Sequence, residues 1–430
     1  MQPNPDHKRR RDLLLLIFSS LGFLGLMARS ATLAFTGMLS FNPGEMTSLA
    51  SSMLDALAML FCAGLLVPVL VYTIRRLKGQ VVLPVAIQPV KFWQGSALVV
   101  IWLVIVIFGT VLTNLFAYGW VAATPLFLLG ISLPILSLIW ISAGGLPSMS
   151  RRRLWSVFGY GMVGGPLAAM LLEYMLIGIA AVVIGVLVVA NPDLRTIIDQ
   201  IKTQVANANA GDLQALLTVL APYIMNPLVI LSILVFAAVL APLIEEAVKP
   251  AVIWFLRKRL RSSAEGFVLG ALCGAGFAMM EGLLAASGAT QMWSFGLVGR
   301  AAASLMHITS SGLLGWAIAS AQLKKRYRQL VLTYLLSVSI HGLWNGSAIM
   351  AVYGGLRMMN LNMQVDLPGV LFIMVGLVVL FLELVLMLTA LPLINRRLRQ
   401  SGSPIPAPVQ SDIIAPLATS KPRETNGLDP

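Results

Sequence analysis

Apolar runs long enough to cross a bilayer recur along the chain, separated by short polar and mostly basic segments. At 1.5 Å per residue, roughly 20 apolar residues cross the hydrocarbon. By that measure the pattern predicts spans at residues 13–37, 52–74, 95–118, 124–144, 155–190, 227–256, 264–287, 295–320, 329–353 and 367–394. In lipid a backbone must satisfy its own hydrogen bonds, so the predicted fold is all-α, a polytopic integral membrane helical bundle of about ten transmembrane helices. The fifth run is too long for one crossing: a helix from Leu154 to Ala190 would measure roughly 55 Å. Gly161, Gly164, Gly165 and Pro166 predict a break there, into an interfacial piece and a true span. The first run follows a charged start and passes a small-residue Ala28-Arg29-Ser30-Ala31 stretch, as a secretory signal would. Its apolar character continues to Gly37, which predicts a signal anchor instead.

Between the fifth and sixth spans the period changes. Leu194, Ile197, Ile198, Ile201 and Val205 share one helical face, and Leu213, Leu216, Leu217 and Leu220 repeat the spacing. Two amphipathic helices are expected there, on the outer leaflet or capping the bundle. The expected organisation is a basic cytoplasmic tail at 1–12, a four-helix membrane region at 13–150, and the fifth span with its amphipathic segment at 151–226. A core at 227–353, a last helix at 354–394 and a disordered cytoplasmic tail at 395–430 complete it. The acids of the early spans, Asp55 and Glu173, are expected to pair with Arg29 or to face the bundle interior.

Composition agrees with this: 58% of the residues are hydrophobic and 11% charged, and the mean hydropathy is +0.87. The net charge of +13 would suggest nucleic acid in a soluble protein. Here the lysines and arginines cluster at alternate boundaries of the apolar runs: residues 8–11, 75–78, 151–153, 257–261, 324–328 and 396–399. That is the positive-inside pattern, so both termini are expected in the cytoplasm of a multi-pass protein of the cell (inner) membrane, with the lipid bilayer as its partner and no nucleic acid. Cys62 and Cys273 lie inside apolar runs and read as packing residues.

Against this background a few ionisable residues stand inside the membrane runs, where each costs at least roughly 2.5 to 3.5 kcal/mol on insertion scales. Four successive spans carry them: Glu245, Glu246 and Lys249 in EEAVKP, Glu281 in FAMMEG, His307 in SLMHITSSG, and His341 with Asn345 in HGLWNG. Apart from His7 in the basic tail, these are the only histidines of the chain. Glu245 and Lys249 share a helical face, and Glu246 reaches Lys249 three residues on. Phe277, one turn before Glu281, is placed to screen it from lipid. Counting residues from each span's basic cluster puts Glu246 roughly 16 Å deep, His341 roughly 20 Å, His307 roughly 26 Å and Glu281 roughly 30 Å. The first three are expected to meet, and Glu281 fits least well.

A carboxylate desolvated in a bundle is a competent base for water, and an imidazole or amide beside it can stabilise an oxyanion. Two histidines with one or two glutamates also suit a catalytic divalent metal such as zinc, the expected ligands being Glu246, Glu281, His307 and His341. Either chemistry is hydrolysis. Any one of these residues alone is a common packing feature, but their coincidence in four consecutive spans points to a shared site.

At these residues the sequence resembles the PrsW family of intramembrane proteases, related to the prenylated-protein (CAAX) processing proteases. EExxK is matched by Glu245, Glu246 and Lys249, FxxxE by Phe277 and Glu281, the single His by His307, and His followed four later by Asp or Asn by His341 and Asn345. The resemblance implies an endopeptidase that cuts membrane-associated protein substrates, for example of the anti-sigma factor type, as a metalloprotease or through glutamate-activated water. The absence of HExxH favours the glutamate. Glu245 and Glu246 are then expected to activate water, and His307 and His341 to hold or polarise the reacting groups. Asn345 would assist the oxyanion, with Glu281 and Lys249 tuning the carboxylates. A non-catalytic scaffold or a proton-coupled transporter stays open as the alternative, although transporters favour repeated halves and no repeat is present.

Overall fold

The computed structural model describes residues 5–39, 46–116, 119–207, 219, 223, 225–256, 259–284, 293–360 and 366–401. Their helices are, in chain order, α1 Pro5–Leu39, α2 Met46–Leu77, α3 Phe92–Leu115, α4 Gly119–Ala143, α5 Arg151–Gly159, α6 Gly165–Ala190 and α7 Pro192–Asn207. They continue with α8 Pro227–Val235, α9 Ala241–Val248, α10 Ala251–Leu256, α11 Ser263–Leu284, α12 Trp293–Lys324, α13 Tyr327–Asn360 and α14 Leu367–Ser401. Strands β1 Pro84–Val85 and β2 Met149–Ser150 form one short antiparallel pair. Among the described residues nine helices are long and apolar enough to cross a membrane. The remaining expected span is α12, whose 32 residues carry Arg300, His307 and several serines and are correspondingly less apolar. The protein is a multi-pass helical membrane bundle.

Helix α11 lies at its centre and is the most enclosed of the candidate spans. Small residues put it there: a Cβ at Gly270 would collide with the Ser311 carbonyl of α12, and one at Gly274 with the His307 carbonyl. Backbones can approach this closely only where side chains are absent, which is how membrane helices associate without a hydrophobic force between them. Cys273 of α11 and Cys62 of α2 are both buried and free.

Three boundaries differ from the sequence reading. The fifth run does not break: α5 and α6 form one continuous 40-residue span, joined by a π-helical turn at Tyr160–Gly164. Pro166 follows the π turn closely, and the widened turn accommodates its ring and missing N–H without ending the span. The sixth run, Pro227–Leu256, is likewise one span, with a π turn at Phe236–Leu240 and a turn at Lys249 and Pro250. At the N-terminus α1 already begins at Pro5, inside the expected tail, because Asp12 is buried between Arg76 (2.9 Å) and Arg152 (2.7 Å). At the other end α14 continues to Ser401, into the expected disordered tail, because buried Asn395 donates to the carbonyls of Ser142 (2.8 Å) and Gly144 (3.1 Å). The first amphipathic helix is present as α7; the second expected one, like the tail from 402 onward, lies outside the described residues.

Candidate active site

The polar centre is built at the second turn of the sixth run. Pro250 has no N–H to bond the Glu246 carbonyl, so α9 ends at Val248. Two tyrosines hold the loosened segment: Tyr160 Oη donates to the Val248 carbonyl (3.0 Å) and Tyr334 Oη to the Leu243 carbonyl (2.7 Å). Two turns before Glu245, Asn345 Nδ2 donates to the Ala237 carbonyl in the π turn (2.9 Å), and Gly342 lets α13 lie directly against Ala238. Asn345 is therefore committed to the backbone of the neighbouring span. Among the described residues the expected oxyanion role has no contact with the Lys249 cluster to support it, for residue spacing places an amide on a face but does not tell what that face meets.

Lys249 is the hub. Its fully buried Nζ lies 2.8 Å from Glu246 Oε1, 2.9 Å from Glu245 Oε2, 2.9 Å from His307 Nδ1 and 3.4 Å from His341 Nδ1. The ring of Phe277 closes the remaining side, 4.3 Å from Nζ to its centroid. His341 Nδ1 is also 3.0 Å from Glu246 Oε1, and the two imidazoles meet edge to face with centroids 5.2 Å apart. The other nitrogen of His307, Nε2, lies 2.6 Å from Glu281 Oε2, and Glu281 Oε1 pairs with Arg300 Nη1 at 2.8 Å. Polarity thus runs unbroken from the half-exposed Arg300 and Glu281 through His307 and Lys249 to Glu246 and His341, which are buried.

The structure brings Glu245, Glu246, Lys249, Glu281, His307 and His341 into one cluster. Glu281, the worst fit by depth, belongs to it. Sequence reasoning missed Arg300, Tyr160, Tyr334 and Glu173. Glu173, expected to pair with Arg29 or to face the bundle interior, has Glu245, Lys249, His341 and Glu281 as its charged neighbours. Rarity of acids in apolar runs was the one signal for it, and no motif accompanied that signal.

The donor set can be tested against a metal. One ligand atom each of Glu245, His307 and His341 lies within 4.8 Å of the others, and two imidazoles with a carboxylate and an open position make a catalytic zinc set. Glu281 on the far nitrogen of His307 is the outer carboxylate that such histidines carry. The residues fit a divalent metal. Of the expected ligands, His307 and His341 belong to this set, joined by Glu245; Glu246 has its Oε1 against Lys249 and His341, and Glu281 stands on the far nitrogen of His307.

A multi-pass bundle with carboxylates, imidazoles and an ammonium gathered at its centre belongs to the class of membrane-embedded hydrolases. The sequence model described as PrsW family intramembrane metalloprotease matches residues 149–382, more than half of the chain. The chain belongs to that family, and it is an intramembrane protease of membrane-protein substrates. No curated protein and no solved structure matches it.

Proposed function

We propose that the protein hydrolyses peptide bonds of membrane-associated proteins at the Glu245, Glu246, His307 and His341 cluster, and that Glu246 is the base. The observation that carries this reading is the convergence of those four residues on the Lys249 ammonium. Glu246 is fully buried; its Oε1 is engaged by Lys249 and His341, while its Oε2 has no hydrogen-bond partner among the described groups. That free oxygen takes the proton of a water molecule whose oxygen adds to the scissile carbonyl carbon. Lys249 and His341 stand beside it to meet the negative charge that grows on the carbonyl oxygen. The proton then passes to the amide nitrogen as the C–N bond breaks, leaving a carboxylate and an amine.

Glu245, His307 and His341 would hold a divalent metal, with Glu281 fixing the ring of His307. Bound there, it would act as a Lewis acid on the carbonyl and lower the pKa of water. Lys249 Nζ shares all three of those residues, so it has to withdraw towards Glu246 when an ion is held. The positive-inside pattern supports both termini in the cytoplasm, and spans built from apolar helices, unlike the β-barrels of outer membranes, support residence in the inner cell membrane.

The test compares membrane proteomes of cells expressing wild type, Glu246→Gln or His341→Ala at equal abundance. Membrane-protein fragments present with wild type should disappear, and their full-length parents accumulate, in both variants. Unchanged fragments with Glu246→Gln would return the scaffold reading.

A further inference from the structure

Glu173 lies on the fifth span, outside every motif of the site, and α6 packs its stripe of Gly165, Ala169 and Glu173 against the site. A Cβ at Gly165 would lie 4.0 Å from Lys249 Cα and 3.6 Å from Phe277, and Ala169 is buried. Glu173 is eight residues, or about 12 Å, further along that stripe. α6 and α9 run antiparallel, and each side chain leans towards its own helix N-terminus, so the Glu173 carboxyl group comes back to about the level of Glu245. Its charged neighbours agree, with Glu245 first among the acids. The residues flanking it, Leu172, Tyr174 and Met175, are exposed on the lipid side of the helix.

Every other carboxylate of the cluster has a cation: Glu245 and Glu246 have Lys249, and Glu281 has Arg300. Among the described residues no lysine, arginine or histidine lies within ion-pair distance of Glu173, and its Oε1 is buried without a hydrogen-bond partner. An acid at membrane depth that no cation of the protein pairs with either takes up a proton or meets water or an external cation, and the charged state needs the latter.

Resting on the protease reading above, we propose that Glu173 lines a water-filled lateral opening between α6 and α9, and that it binds a lysine or arginine side chain of the substrate next to the cleaved bond. The opening selects membrane segments that carry a cation. Glu173 is then a specificity-determining residue: it touches the substrate without joining the reaction.

The first probe is thiol chemistry on the full chain in proteoliposomes, with Glu173→Cys compared against Leu172→Cys and Met175→Cys, the parent serving as blank because Cys62 and Cys273 are buried. Methanethiosulfonate reagents need a thiolate in water. In an acid-lined opening the cationic trimethylammonium-ethyl reagent should modify Glu173→Cys about tenfold faster than the anionic sulfonatoethyl reagent, and about tenfold faster than it modifies either neighbour. Equal rates with the two reagents, or at the three positions, would overturn the proposal. The second probe is Glu173→Lys, which fills the opening with a fixed cation. Fragment release should stop at normal protein abundance; release at the wild-type rate sinks the opening while leaving the protease reading intact, because that reading is decided by Glu246→Gln.

Discussion

His307 Nε2 lies 2.6 Å from Glu281 Oε2, although counting along the helices separates the two residues by several ångströms in depth. The count follows Cα positions. Side chains on a helix lean towards its N-terminus, and α11 and α12 are antiparallel, so the Glu281 carboxylate and the His307 ring lean in opposite directions and close the difference in depth. The close crossing at Gly270 and Gly274 removes the lateral gap. The pair leaves Nδ1 of His307 directed at the centre of the site, 2.9 Å from Lys249 Nζ.

On the proposed mechanism Glu281 acts through His307. Glu281→Gln keeps a group that can accept from Nε2 but loses the charge, and it should lower peptidase activity and zinc affinity together, by about 10- to 100-fold, as outer-shell partners of metal-bound histidines do. Zinc titration of the purified protein checks it. A drop in activity with unchanged zinc affinity would put Glu281 on the substrate side instead.

Lys249 and a divalent ion claim the same donors. Lys249→Met leaves Glu246 buried and uncompensated, a change that costs about 3 to 5 kcal/mol for an ion pair of this kind. The metal-free variant should unfold at lower temperature than wild type, bind zinc more tightly, and recover more stability on adding zinc. Thermal unfolding in detergent with and without zinc, alongside metal analysis, gives all three quantities. Equal zinc affinity in the two proteins would show that the ammonium does not stand in the ion's place.

Much of this was legible in the sequence, for identifiable reasons. Lipid forces helices, so apolar length alone gave the spans; histidine is scarce, so His307 and His341 stood out; and EExxK with HxxxN carried the family resemblance. What was not legible depends on which residue faces which. Asn345 shares a face with His341, yet its amide meets the Ala237 carbonyl because a π turn in the neighbouring span exposes that group. Glu173 sits alone in an apolar run, and only the packing of Gly165 against Lys249 turns it towards the site. The continuation of α14 past its membrane run depends on Asn395 reaching α4, a contact across 253 residues of sequence.

The π turn and Asn345 form one unit. Asn345→Ala leaves the partly buried Ala237 carbonyl without its donor, at a cost of about 1 kcal/mol. Because Ala237 precedes Glu245 by two turns, activity should fall through the placement of the carboxylates, with stability and turnover lost together. Asn345→Gln, whose amide reaches one bond further, should recover part of both. An oxyanion role predicts the opposite split, with turnover lost and stability kept, so unfolding in denaturant measured beside cleavage of a substrate recovered from the membrane proteome decides between them.

The helix crossing that positions His307 is steric. A methyl group at Gly274 would collide with the His307 carbonyl, whereas Gly185 on α6 has open space around it. Gly274→Ala should destabilise the bundle by about 1 to 3 kcal/mol through overpacking and push α12 away from α11, which also lengthens the contact between His307 and Glu281. Gly185→Ala should change neither. Refolding equilibria in mixed micelles give the stability difference, and zinc affinity reports the displacement of His307, since a shift of the ring separates it from Glu245 and His341. If Gly274→Ala binds zinc and unfolds as the wild type does, the tight crossing does not set the site's geometry.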